Sequence, residues 1–277
     1  MNIGLYNLEN KYKNLALEKI RKYHTDNGDT VTDYYPMMHD KYDKIYCSSI
    51  FKFTDKSEVT KDMICGGTGF DLTTKLPDEI EEIKPRLNFG FTQRGCIRNC
   101  SFCVVPQKEG KSYAVGDVYD LWDGKSKEVE LIDNNPQSLE DHFYDKICKQ
   151  LRDKNIKVFF HGLDLRLTYN NRRMVEELKS IRHYQYKFAW DLDDNSMIKK
   201  LEWLKHKIGR CLIYVIVGII GWEKEMKKFE ILKKIGHDPY CMRFETAIGK
   251  HYVQMARWVN QPAQFKKKTF QEFTEVS

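Results

Sequence analysis

The sequence predicts an α/β protein in two units. A small open Rossmann-like α/β unit covers residues 1–85, and a parallel strand–helix array covers residues 86–277 and curls into a partial (β/α)6 barrel. Three observations carry this reading. Strand-like and helix-like segments alternate along the chain, the pattern of a parallel sheet with right-handed crossovers. The alternation breaks once, at the acidic stretch Asp78-Glu79-Ile80-Glu81-Glu82 between Pro77 and Pro85, where the boundary is placed. No solenoid-type repeat or low-complexity tract is present, so the array has no reason to extend as a rod.

In the first unit, residues 2–6 read as a short strand. Asn10 to Tyr23 carries Leu15, Leu17 and Ile20 at helical spacing. Thr30–Tyr35 alternates as a strand after the turn at Gly28 and Asp29. Tyr42–Cys47 and Lys61–Cys65 are further strands, the last ending in Gly66-Gly67-Thr68-Gly69. In the second unit the candidate strands are Leu87–Thr92, Glu128–Ile132, Lys157–His161, Tyr186–Trp190, Cys211–Gly218 and Tyr240–Phe244. Helices are expected over Leu139–Lys154, Asn171–His183, Ser196–Lys207 and Glu223–Ile235, with Gly236 as the stop after the last. Ligands of such arrays sit at the C-terminal ends of the strands.

Bulk properties narrow the class. With 277 residues, 41% hydrophobic and 31% charged, the chain can bury a real core and is not of disordered type. The longest apolar run, Cys211 to Trp222, falls short of the roughly 18–20 residues of a membrane helix and reads as a buried strand with its exit turn. Met1 to Tyr6 lacks the basic start and apolar stretch of a signal peptide, so a cytoplasmic protein is expected, with no membrane partner. The net charge of +6 is uneven, −3 over residues 1–85 and +9 over residues 86–277. A basic second part fits a nucleic-acid or nucleotide partner; a compositional bias without binding meaning is the competing reading.

Eight cysteines are present, five scattered and three within eight residues: Cys96, Cys100 and Cys103, spaced Cx3Cx2C. In a reducing compartment clustered cysteines suggest metal rather than disulfides. Thiolates suit iron–sulfur clusters or zinc. Electron-carrier clusters take four cysteines, and structural zinc wants a fourth Cys or His nearby, which this loop does not offer. His142 and His161 could supply one only through the fold. Three protein ligands leave a metal position open for chemistry.

With Phe102 just before the third cysteine, Gly95 before the first and Val104-Val105-Pro106 after the last, the segment resembles the motif of the radical S-adenosylmethionine superfamily, and is similar to its methylthiotransferase and cobalamin-domain branches. The resemblance implies a partial barrel of radical SAM type and a 4Fe-4S cluster, three of whose four irons are held by Cys96, Cys100 and Cys103. It also implies S-adenosylmethionine chelated at the fourth iron and cleaved by one electron to methionine and a 5′-deoxyadenosyl radical. An electron donor such as flavodoxin or ferredoxin is implied as a partner.

Positions after the later strands are read against the same pattern. Asp133, Asn134 and Asn135 match the place where the family often binds the methionine amino group, although the commoner Gly-Gly-Glu form is absent; a helix N-cap cluster is the alternative. Asp164 and Arg166 alternate with Leu163 and Leu165 and so are expected on one strand face, as a carboxylate clamp or as an internal ion pair. Asp191 could accept from ribose hydroxyls, or act as an N-cap or a lysine partner. Gly218 ends the strand resembling the one that packs the adenine and permits close backbone approach. Arg243 is a candidate substrate contact. Cys148, Cys211 and Cys241 read as buried hydrophobes.

The first unit departs from both family precedents. His24 and His39 lack the Asp-x-His-x-x-Gly context of a cobalamin ligand, and Cys47 and Cys65 are two thiols where a second cluster needs three. The unit is therefore read as degenerate and cobalamin-binding-like, of the kind in small phage and bacterial radical SAM proteins. The function expected is a radical SAM enzyme acting on an unidentified substrate, RNA or a nucleoside being candidates. The alternatives are a cobalamin-dependent radical SAM methyltransferase and a non-catalytic zinc-binding RNA-interaction module.

Overall fold

The computed structural model describes residues 1–275. The N-terminal sheet is built from β1 (Asn2–Asn7), β2 (Thr30–Asp33), β3 (Lys44–Ser48) and β4 (Ile64–Gly66), all parallel in the order β2-β1-β3-β4. Helix α1 (Leu15–Asp26) starts later than its apolar spacing suggests, because the Asn14 side chain accepts from Leu17 N and so caps it there. Ile3 and Leu5 of β1 point to one face and pack with Leu17, Ile20 and Ile80, the last from the one-turn helix α2 (Asp78–Glu81). Ile45 and Cys47 of β3 point to the other face with Tyr34 and Met63. Both faces of this parallel sheet are thus covered.

The remaining residues form a mixed α/β structure with two parallel sheets. The first pairs β5 (Phe89–Gly90), β8 (Glu128–Leu131), β9 (Lys157–Phe160) and β10 (Arg182–His183) in the order β10-β9-β8-β5. The second pairs β11 (Lys187–Ala189), β12 (Leu212–Val217) and β13 (Asp238–Arg243) in chain order. One parallel bridge, Leu163 to Phe188, links them, with Leu163 N donating to Lys187 O at 2.8 Å. The expected continuous six-strand wall is therefore interrupted between His183 and Lys187, and among the described residues no pairing closes β5 onto β13. Two strands that sequence reading missed, β6 (Gln93–Arg94) and β7 (Tyr113–Ala114), form a short antiparallel hairpin base.

Helices α3 (Val105–Lys108), α4 (Val118–Leu121), α5 (Asp141–Asp153), α6 (Leu165–Thr168), α7 (Arg172–Ser180), α8 (Ser196–Lys207) and α9 (Trp222–Ile235) fall between these strands, and α10 (Lys250–Val259), α11 (Pro262–Lys267) and α12 (Phe270–Thr274) follow β13. Gly236 ends α9 in the left-handed conformation at φ +87°, as its stop position requires. Along the strands alternate residues Val129, Leu131, Val158, Phe160, Ile213, Val215 and Val217 are buried in one core against the helices. Cys148, Cys211 and Cys241 lie in that core, and burial pushes each thiol up to about 12, so they behave as small apolar groups. No helix among the described residues is long and apolar enough to cross a membrane.

Candidate metal centre

The cysteine loop leaves the C-terminal end of β5. The β6–β7 pairing fastens its base, and Cys96 N donates to Gly110 O at 3.1 Å. Gly95 is needed here: it sits at φ +74°, and a Cβ would lie 2.2 Å from the Lys111 carbonyl oxygen. Beneath the base stands Asp133, buried, at the end of β8. Its Oδ1 accepts from Thr92 N at 2.6 Å and Gln93 N at 2.9 Å, and its Oδ2 from Thr92 Oγ1 at 2.7 Å. Burial pushes its carboxyl up to about 6 against the pull of those three donors. Asn134 Oδ1 accepts from Gly95 N at 2.8 Å, and Asn135 N donates to Gln93 Oε1 at 2.9 Å. Two of the three residues expected to meet a bound amino group are therefore spent on backbone N–H groups of the loop.

Asn135 is different. Its Nδ2 lies 3.6 Å from Cys96 Sγ and 3.4 Å from Asp164 Oδ2, while its Oδ1 is buried with no hydrogen-bond partner. Cys96 Sγ also accepts from Arg98 N at 3.3 Å. Cys103 N donates to Cys100 O at 3.0 Å, closing the turn between the second and third cysteines around a half-buried Phe102. The three thiols are half-buried and within electrostatic reach of one another. Burial raises the Cys100 thiol, with Arg166 opposing, and raises the Cys103 thiol, with the Val105 N–H opposing.

Asp164 and Arg166 do not share a strand face. Asp164 Oδ1 accepts from Arg166 N at 2.9 Å and so caps α6, which turns the segment into a helix. The internal pair is formed: Arg166 Nε lies 3.2 Å from Asp164 Oδ1, and Arg98 Nε, from within the cysteine motif, lies 2.8 Å from Oδ2. Burial raises the Asp164 carboxyl, but the two guanidinium groups outweigh it and hold it below the usual range. The Arg166 guanidinium reaches the field of Cys100 and Cys96. Asp191, after β11, accepts from Ile216 N at 2.9 Å; burial raises its carboxyl, against Lys228 and Arg166. Lys228 donates to the carbonyls of Trp190 (3.1 Å) and Asp191 (2.6 Å), and burial lowers its ammonium to about 8.

Gly218 sits at φ +96°, and a Cβ there would stand 2.6 Å from Ala247 N, so protein backbone is what approaches it. Its N–H, with those of Ile219 and Ile220, converges on Glu225 Oε1 at 2.8, 2.9 and 3.0 Å. Glu225 is fully buried and its Oε2 has no partner. Sequence reading missed Glu225, since only a carboxylate four residues past Gly221 hinted at it. It also missed the pair formed by Glu130 and His161 (Oε1 to Nε2, 2.7 Å), joined at 3.1 Å by Lys13 from the loop between β1 and α1. Arg243 is exposed at the end of β13. A depression of about 500 Å³ lined by Arg210, Leu212, Asp238 and Tyr240 lies at the opposite, N-terminal ends of β12 and β13, away from the cysteines.

Among the described residues no three His, Cys, Asp or Glu side chains stand close enough together to hold one metal ion. A single tetrahedral ion at 2.3 Å from each sulfur needs thiolates about 3.8 Å apart. A cluster instead spreads its thiolates over separate irons.

No protein-family model matches the chain. It is similar to bacteriochlorophyllide d C-8(2)-methyltransferase of Chlorobaculum tepidum, with 28% identity over 116 residues. The match covers 40% of this chain and 22% of that protein, so the chain matches about a fifth of the length of this relative.

Proposed function

We propose that the chain is a radical S-adenosylmethionine enzyme, its parallel array acting as a partial barrel of that type over residues 86–277, with Cys96, Cys100 and Cys103 holding a 4Fe-4S cluster. The observation that supports the reading is that one fastened loop, leaving the C-terminal edge of parallel strands, carries three half-buried thiols spaced Cx3Cx2C. The donor set fits the group. Thiolates are soft ligands, and N–H groups of Arg98 and Asn135 already reach the Cys96 sulfur. Arg166 beside Cys100 offsets the negative charge a thiolate set accumulates. The orphaned Asn135 Oδ1 is an acceptor suited to the ammonium of S-adenosylmethionine, the cofactor proposed beside the cluster.

Held by Cys96, Cys100 and Cys103, a reduced cluster would supply the one electron needed for reductive cleavage of the sulfonium of S-adenosylmethionine. The chain's residues bind and orient. Asp133 and Asn134 lock the loop base, Arg98 and Arg166 neutralise Asp164, and Asp191 and Phe102 are the remaining candidates to meet the cofactor. Partial similarity to a methyltransferase supports an enzyme. As substrate we propose RNA or a nucleoside, supported by the +9 charge over residues 86–277, with a flavodoxin or ferredoxin as electron donor. Cobalamin is not part of this reading: His24 and His39 stand outside an Asp-x-His-x-x-Gly context, and the loops after β1 and β3 are bound to each other through Glu9.

The test is metal and sulfide analysis after anaerobic reconstitution. About four irons and four sulfides per chain are expected, lost in Cys96→Ala, Cys100→Ala and Cys103→Ala. Zinc without sulfide would overturn the reading in favour of a binding module.

A further inference from the structure

In an open parallel sheet, ligands bind where neighbouring strands send their connections to opposite sides, outside the strands' C-terminal ends. In the order β2-β1-β3-β4 that point lies between β1 and β3. The loop after β3 presents four donors there, and all four converge on one carboxylate from the loop after β1. Ser49 Oγ donates to Glu9 Oε1 at 2.8 Å, Thr54 Oγ1 to Oε1 at 2.5 Å, Phe51 N to Oε1 at 3.2 Å and Ile50 N to Oε2 at 2.9 Å. Burial alone would raise the Glu9 carboxyl, but these donors outweigh it and hold it below the usual range.

The glycine run after β4 is committed to the same loop. A Cβ on Gly67 would lie 2.4 Å from Ser49 O, and one on Gly69 would lie 2.2 Å from Ser49 Oγ. Gly69 N donates to Ser49 O at 2.8 Å, and Ser49 N to Gly66 O at 3.1 Å. These glycines therefore let one loop close on another; no phosphate is needed to account for them. The same loop as Glu9 also carries Lys13, whose Nζ reaches Glu130 at 3.1 Å and lies 5.0 Å from the Phe89 ring centroid in the second sheet.

We infer that the Ser49–Thr54 cradle is an oxyanion site whose resident ligand is the protein's own Glu9 carboxylate, and that it takes an external carboxylate or phosphate once that side chain is withdrawn. The inference is independent of the cluster, and its test reads stability rather than activity. Glu9→Ala and wild type are melted in sodium chloride, sodium acetate and sodium phosphate at matched ionic strength. The wild type is expected to melt alike in all three. The variant is expected to melt lower in chloride and to recover saturably in acetate or phosphate, on the order of 2–4 °C. A native-like Glu9→Ala protein with no saturable response to either anion overturns the inference. Should that variant fail to fold, Thr54→Ala carries the test through carbon-13 NMR of the Glu9 carboxyl. Loss of one donor must raise its titration midpoint, and an unchanged midpoint overturns the inference equally.

Discussion

Replacing Asp133 separates the cost of a buried charge from the value of the contacts it makes. Burial raises its carboxyl from 3.8 to about 6 in the folded chain. The native state therefore holds this proton more tightly than the unfolded chain, and stability from this group falls as pH rises through the window from about 4 to 6. At 1.36 kcal/mol per pH unit the cost above that window is about 3 kcal/mol. Asparagine keeps the geometry. Its oxygen can accept from both Thr92 N and Gln93 N, which already share Oδ1, and its amide can donate to the Thr92 hydroxyl in place of Oδ2. Asp133→Asn is thus expected to match or exceed wild-type stability at pH 7.5, by up to about 3 kcal/mol, and to lose the fall between pH 4 and 6. Asp133→Ala strands buried donors at about 1–3 kcal/mol each and is expected to lose about 2–5 kcal/mol net at pH 7.5. Urea unfolding of the three proteins at pH 4.5 and 7.5 measures this. Equal destabilisation by Asn and Ala, or an unchanged pH dependence in both, would refute the reasoning.

Other outcomes follow from the same contacts. Glu225→Ala leaves three backbone N–H groups without their shared acceptor, and a loss of about 3–5 kcal/mol is expected in denaturant unfolding. Gly218→Ala meets Ala247 backbone at 2.6 Å in a positive-φ conformation, and a melting temperature lower by several degrees is expected, a cost of at least about 1–3 kcal/mol. Asn135→Ala removes the orphaned Oδ1 together with the Nδ2 contacts to Cys96 and Asp164, and is expected to weaken S-adenosylmethionine binding by equilibrium dialysis about tenfold and to lower iron retention.

What could be read from the sequence and what could not divide along physical lines. The strands Glu128–Leu131, Lys157–Phe160 and Leu212–Val217 were legible because their alternation sets which side chains face the helices. The cysteine loop was legible because its three thiols are local in sequence. The β6–β7 hairpin was not, since Gln93 meets Ala114 across a loop without hairpin-turn chemistry. Asp164 looked like a strand residue by alternation, and only its capping bond to Arg166 N shows otherwise. Asp133 and Asn134 have partners about 40 residues away, and apart from the Thr92 hydroxyl these are backbone groups that carry no sequence signature. Glu9 is hidden for the same reason, its four donors lying 40 to 45 residues along the chain.

The central claim is tested most directly by incubating the anaerobically reconstituted, dithionite-reduced protein with S-adenosylmethionine and separating the products by chromatography. The account predicts 5′-deoxyadenosine and methionine from the wild type and neither from the protein lacking Cys96, Cys100 and Cys103. A reduced, cluster-loaded wild type that leaves S-adenosylmethionine intact, with RNA or nucleosides supplied, would contradict it.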